Sequence, residues 1–304
     1  MKYAVYKLEF KTGVHFGDGA LSSSNNSFQA DTLFSALYIE AMKLGCSEAL
    51  FEAVKSGELL FSDAFPYIGT SYYLPKPMIY IEPQDKGNST TKKAYKKMKY
   101  IPSELFADYL HGDIDPQKCD ISGLGRGYDH IMASVENGEA DTEPYSVGTF
   151  WFNSGSGLYV IAKAADDDTA SLFEELMESL SYSGIGGKRT SGKGRFEFKY
   201  ANKTDDLLSL LNNRTGRYML LSTALPTEAE LDNAVEGASY LLQRRSGYVY
   251  SDTFAETNQK KHDMYTMQAG SCFNVSFAGD VYDVSDGKGT HPVYRYAKAL
   301  FVEV

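Results

Sequence analysis

Residues 183–195 read Ser-Gly-Ile-Gly-Gly-Lys-Arg-Thr-Ser-Gly-Lys-Gly-Arg, and the segments on either side of them set the arrangement of the whole chain. Five glycines (Gly184, Gly186, Gly187, Gly192, Gly194) alternate with four cations (Lys188, Arg189, Lys193, Arg195). Glycine lets a backbone take positive φ and approach a ligand closely. Consecutive N–H groups in such a loop can nest an anion, and neighbouring cations add charge. The ligand this chemistry suits is phosphate. Gly187 to Lys193 matches the G-x-x-x-x-G-K part of a P-loop, but Gly194 stands where the Mg²⁺-binding hydroxyl belongs. The context is also reversed, because a helix precedes this loop and a strand follows it. The dinucleotide pattern G-x-G-x-x-G fails at both possible starts, ending on Arg189 or Glu197. A plain flexible connector has no use for four cations. A phosphodiester backbone is the favoured ligand.

Working outward, a helix starts at Asp168 or Thr169 and turns Leu172, Phe173, Leu176 and Leu180 inward; a strand runs from Phe196 to Tyr200. The N-terminus reads as a strand over 3–10. A loop over 12–19, a polar run from Ser22 to Ser27 and a helix over 31–44 follow, with Asp31 as cap and Gly45 as stop. A short helix holds Glu48 to Lys55. Residues 59–81, with Pro66, Pro75 and Pro77, suit short edge strands. Six lysines and no acid occupy 86–99, and 122–148 reads as loop. Residues 149–162 read as a hairpin, and polar 201–216 as a linker. Then the pattern restarts. Tyr218–Ala224 is a strand and Thr227-Glu-Ala-Glu230 a capping box. A hairpin pairs 239–243 with 248–251, strands fall near 264–284, and a last strand covers 294–304. This order predicts an α+β fold of two ferredoxin-like (RRM-like) modules, 1–202 and 203–304, with an insertion in the first at about 82–148.

The length of 304 residues fits two domains, and 43% apolar content gives each a core. Forty acids against thirty bases leave a net charge of −10, which excludes binding to nucleic acid through bulk positive charge. A local basic groove remains open. Cys46, Cys119 and Cys272 are scattered and odd in number, so neither a disulfide framework nor a zinc site is expected. No signal-peptide core or membrane-length apolar run is visible, and a reducing cytoplasm is the expected location. Twenty-three tyrosines and 17 phenylalanines suit a β-rich fold or, less favourably, a stacking surface.

Three further segments carry information: His15-Phe16-Gly17, Ala30-Asp-Thr-Leu-Phe-Ser-Ala-Leu37, and Ser62-Asp-Ala-Phe-Pro66 followed by Leu74-Pro-Lys-Pro77. With the glycine-rich loop, they resemble the RAMP superfamily of CRISPR antiviral systems, and within it the Csm-type subunit of type III-A effector complexes that caps the crRNA 5′ end. Thr223-Ala-Leu-Pro226 and Ser246-Gly247 fit as well. The resemblance runs along nearly the whole chain, with 86–148 its least diagnostic part. It implies a non-catalytic protein that holds the 5′ tag of the crRNA. Its implied partners are the large polymerase/nuclease-like signature subunit on one side and a RAMP backbone subunit on the other. A β-hairpin thumb within 82–148 would reach the guide–target duplex, giving indirect contact with target RNA. No cofactor, metal or membrane is expected.

Single-stranded RNA needs cations for phosphates and side chains that stack on or hydrogen-bond to bases. Lys188, Arg189, Lys193 and Arg195 are the phosphate candidates, with N–H groups of Gly184, Gly186 and Gly187 as further donors. His15, Phe16 and Gly17 lie in the first β–α loop, expected to face the glycine-rich loop. Phe16 either stacks on a base or fills the core. Ser22 and Ser23 are small donors or plain solvated residues. Lys76, held between two prolines, either touches RNA or serves the fold. Arg244 and Arg245 either extend the groove or form a surface pair. The lysine run repels itself at i,i+4 spacing, so it is expected to be disordered unless an anion covers it. Two alternatives stand beside this reading. One is a metal-independent crRNA-processing endoribonuclease with His15 moving protons. The other is a protein scaffold with little RNA contact.

Overall fold

The computed structural model describes the chain except residues 18, 85–88, 135–142, 252–253, 256, 258, 286 and 288, and the side chains of 90, 134 and 143. Strand β1 (Lys2–Phe10) organises the first part. Its residues are buried on both sides: Tyr6 and Leu8 face one core, Val5 another. Helices α1 (Ala30–Leu44) and α2 (Ser47–Ser56) follow, each ended by a left-handed glycine, Gly45 and Gly57. Then come β2 (Leu59–Phe61), β3 (Phe65–Ile68), β4 (Ser71–Pro75), α3 (Ser89–Lys97), β5 (Tyr100–Pro102) and α4 (Phe106–Leu110). A long antiparallel ribbon, β6 (Gly125–Ser134) and β7 (Glu143–Phe152), leads to β8 (Ser156–Ala164), α5 (Asp167–Ser183) and β9 (Phe196–Tyr200). The remaining elements are α6 (Asp205–Leu211), β10 (Tyr218–Leu220), α7 (Glu228–Val235), β11 (Leu242–Arg245), β12 (Met264–Met267), β13 (Cys272–Phe273), β14 (Gly279–Asp283), β15 (Tyr294–Lys298) and β16 (Phe301–Glu303).

The fold is α+β with antiparallel sheets. The main sheet runs β5-β4-β3-β8-β1-β9, with β2 also paired to β8. Its β8 is buried almost throughout because both faces are covered. On one face, α1, α2 and α5 contribute Leu33, Phe34, Leu37, Val54, Phe173 and Leu180. On the other, α4, α6 and the sheet β13-β10-β16 contribute Phe106, Leu207, Leu211, Met219 and Val302.

Several expectations are corrected. Residues 149–162 hold two strands, but these are not paired: β7 joins β6, whereas β8 enters the main sheet. The expected loop 122–148 is mostly this ribbon. The expected linker contains α6, whose Leu207, Leu210 and Leu211 are buried. The second hairpin also differs, because β11 pairs with β12, twenty residues on, rather than with 248–251. The final strand is broken into β15 and β16. Within the lysine run, 89–97 is helical. Tyr95 stacks on Tyr109 and Met98 is buried, so apolar anchoring outweighs the repulsion. Lys86 lies outside the described residues. Asp31 does not cap α1: Gln29 is the N-cap residue, and the Asp63 carboxylate receives the Ala30 N–H at 2.8 Å. The Thr227 capping box is as expected.

Candidate nucleic-acid interface

The glycine-rich loop and the first β–α loop are laced together by backbone. Gly187 N–H donates to the His15 carbonyl (2.8 Å), Gly194 N–H to Gly13 (3.0 Å), and Arg195 N–H to Thr12 Oγ1 (3.1 Å). Glycine is needed for this approach. A Cβ on Gly187 would stand 2.7 Å from His15 Cδ2. Gly194, at φ +79°, would put one 2.1 Å from the Ile185 carbonyl oxygen.

The same lacing alters the expected role of the glycines. Gly184 N–H is used by Leu180, Gly192 N–H by Arg189, and those of Gly187 and Gly194 as above. Among the loop glycines, Gly186 alone makes no such N–H bond within the described residues. The loop is therefore a close-packed platform whose glycine N–H groups, Gly186 apart, are spent on the protein. Phosphate chemistry is left to its side chains and to the N–H groups of Gly186, Lys188, Arg189 and Thr190, which make no backbone hydrogen bond among the described residues.

Those side chains are braced. Lys188 is itself left-handed (φ 59°), and its ammonium lies 5.1 Å from the centre of the Tyr145 ring on β7. The Arg189 guanidinium lies 5.0 Å from the Tyr250 ring of the C-terminal part. Both pairs are cation–π contacts. Tyr250 is 69% exposed, so one face of an aromatic ring beside a guanidinium is open to a base. Sequence reasoning did not single out Tyr145 or Tyr250. Their only signal was the abundance of tyrosine. Lys193 is half-buried and Arg195 exposed in the same loop.

The other candidates divide. His15 is buried, and its Nδ1 lies 2.7 Å from the Gly148 carbonyl. Phe16 is a core residue, edge-on to Phe10 and Phe28 and buried, so it packs the core and offers no face to a base. Gly17 is exposed. Ser22 and Ser23 lie against Gly148 of β7, whose N–H bonds the neighbouring Leu21 carbonyl at 2.9 Å. Arg245 does not reach for RNA. It makes two bonds to the buried Asp31 carboxylate (2.9 and 2.7 Å), which also receives Arg295 at 3.1 Å. Arg244 is exposed and paired with Asp263, its Nε at 3.0 Å. Lys76 lies elsewhere, in a groove of about 1200 Å³, donating to the Tyr95 carbonyl (3.0 Å) with that ring 4.7 Å away. Burial lowers its pKa. Among the described residues no cluster of three His, Cys, Asp or Glu side chains is placed to hold a metal, and no helix is long and apolar enough to cross a membrane.

The chain is similar to known proteins in both sequence and fold. The family model for the CRISPR Csm4 C-terminal domain matches residues 213–304. In a solved Csm3-Csm4 subcomplex of the type III-A CRISPR-Cas interference complex, one chain superposes with a TM-score of 0.67 at 18% identity, over 100% of this chain and 99% of that one. A Csm1-Csm4 cassette in complex with AMPPNP gives 0.62 at 20% identity, over 99% and 97%. The CRISPR system Cms protein Csm4 of Mycobacterium tuberculosis (strain CDC 1551 / Oshkosh) is 36% identical over 304 residues, 99% of this chain and 98% of its own. At that identity over nearly its full length, the chain belongs to the Csm4 family of CRISPR proteins.

Proposed function

We propose that this chain is the non-catalytic RNA-binding subunit of a type III-A Csm effector complex, gripping the repeat-derived 5′ tag of the crRNA. The observation that carries the reading is the braced loop: Lys188 and Arg189 stand on a rigid glycine platform, each beside a tyrosine ring. Single-stranded RNA is held by such a combination of cations and aromatic faces. The order β3-β8-β1-β9, with α1 after the first of these strands in the chain and α5 before the last, supports a ferredoxin-like first module. The β6–β7 ribbon is the candidate thumb, with Ile131 and Tyr128 exposed along it. Solved relatives sit with Csm3 and with Csm1, which supports a bridge between a RAMP backbone subunit and the large signature subunit.

The endoribonuclease alternative finds less support. A general base must reach the reacting hydroxyl, whereas His15 is buried with Nδ1 against a carbonyl. Assembled complexes carrying Lys188→Ala and Arg189→Ala test the proposal. Their crRNA retention is expected to fall at least tenfold at 0.15 M salt. Unchanged retention and unchanged tag protection from nuclease would favour the scaffold reading. Specific cleavage of repeat RNA that is abolished by His15→Ala would favour the enzyme.

A further inference from the structure

Helix α5 ends at Ser183 and hands the chain to the glycine-rich loop at Gly184. Helix α1 holds that end. Glu40 of α1 is only 1% exposed, yet it carries a carboxylate. One of its oxygens accepts from Ser179 Oγ on α5 at 2.8 Å, and the other from Lys43 Nζ at 2.7 Å. Lys43 Nζ also donates to Ser183 Oγ at 3.2 Å. The bonds linking Ser179, Glu40, Lys43 and Ser183 thus span the last turn of α5. Burial raises the pKa of Glu40, but bonds from Lys43, Ser179 and Ser183 outweigh it and hold the carboxyl below its ordinary value. The group is therefore charged at neutral pH.

Cohesion between the two helices does not require this charge. Leu33, Leu37 and Ala41 of α1 already share one apolar core with Phe173, Leu176 and Leu180 of α5. A buried ion pair is often no more stabilising than apolar side chains of similar size. What it adds is direction, because hydrogen bonds are angular and apolar contacts are not. Direction matters at this end of α5. The neck of the loop is closed by Ile185 N–H donating to the Gly194 carbonyl at 3.0 Å, so the platform turns with the helix end. Lys188 and Arg189 stand 5.1 and 5.0 Å from the Tyr145 and Tyr250 rings. A cation–π contact holds within about 6 Å, which leaves each cation roughly 1 Å of latitude.

We propose that Glu40 is a positioning residue for RNA binding: through Ser179, Lys43 and Ser183 it fixes the end of α5, and with it the direction in which the glycine-rich loop presents Lys188 and Arg189. The proposal rests on the RNA-binding reading above and adds a residue that touches no RNA.

The test measures crRNA retention by assembled complexes over a range of salt. Glu40→Gln keeps the side-chain volume and removes the charge. It is expected to weaken retention about 2- to 30-fold. It should also flatten the log K against log salt slope from about −3 to about −1.5, as two of four cations lose their register. A purely structural lesion lowers the amount of assembled complex and leaves the slope of what assembles unchanged. In a Lys188→Ala/Arg189→Ala background, Glu40→Gln is expected to add less than about twofold. If Glu40→Gln weakens retention equally in both backgrounds, the positioning role is overturned. The same holds if it changes nothing while Lys188→Ala/Arg189→Ala weakens retention, and the RNA-binding reading then stands. If neither variant weakens retention, both fall. Ser183→Ala removes one hydroxyl and carries the same test where Glu40→Gln complexes do not assemble. It should flatten the slope and Ser183→Thr should restore it; an unaltered slope in Ser183→Ala would overturn the proposal.

Discussion

Asp63 joins the two halves of the chain through three donors: Ala30 N–H at 2.8 Å, Thr223 N–H at 2.7 Å and Thr223 Oγ1 at 3.0 Å. Burial nevertheless outweighs these bonds and raises its pKa to about 6. A folded pKa above the unfolded one means that the native chain holds this proton longer. The contribution to stability is full below about pH 4 and is lost as pH rises through 6, on the order of 2–3 kcal/mol. Asp63→Asn mimics the protonated form and should remove that slope from the urea midpoint between pH 4 and 7; parallel slopes would contradict the assignment. Asp31 is different, because it neutralises Arg245 and the buried Arg295. Asp31→Ala leaves buried charge unpaired and should cost about 3–5 kcal/mol in chemical denaturation. A loss below about 1 kcal/mol would mean that the arginines find other partners. The sequence made Asp31 look like a helix cap because caps are local. Its true partners lie 214 and 264 residues away.

At the scale of elements, the glycine-rich loop owes its shape to backbone contacts that exclude a side chain. Gly194→Ala places a methyl against the Ile185 carbonyl and should abolish loop-dependent RNA retention. Gly192 has a similar φ of +77° but open space around it. Gly192→Ala should therefore cost only the left-handed backbone penalty, about 1–2 kcal/mol, and leave retention near normal. Equal effects on retention would refute the packing account. Elements with their own periodicity and caps were readable in sequence: α1, α2, α5 and the α7 capping box. The β6–β7 ribbon was not readable from local pattern, although the resemblance implies a β-hairpin within 82–148. Its glycines suggested loop, and its strands are held by each other through the full ladder from Gly125–Phe152 to Ser134–Glu143. Helix α3 also escaped notice, because Tyr95 and Met98 are worth something only where Tyr109 and the groove wall receive them.

For the whole molecule, both faces of the main sheet are largely covered, and the β1–β9 end of one face carries an exposed ion-pair network of Glu9, Lys11, Glu197 and Lys199. One side is covered by α1, α2 and α5, and the other by α4, α6 and the C-terminal sheet. The proposed RNA contacts fall to the glycine-rich loop at one end, where four of the chain's thirty cations stand within eight residues. On the proposed RNA-binding reading, four loop cations give a log K against log salt slope of about −3 for a single strand. A slope steeper than about −8 would require a broad positive surface, which a net charge of −10 does not supply.

By itself, the sequence determined the α+β class, the main helices, the glycine-rich loop and its cations, and the resemblance that the 36% identity bears out. These rest on local periodicity, local caps and contiguous motifs. Only the tertiary structure decided that the loop's N–H groups are mostly spent on the protein, that Phe16 and Arg245 serve packing and pairing, and that Tyr145 and Tyr250 brace the cations. The physical reason is the same in each case. Burial and partnership depend on residues that meet across long stretches of chain, and no local pattern records which of them will meet.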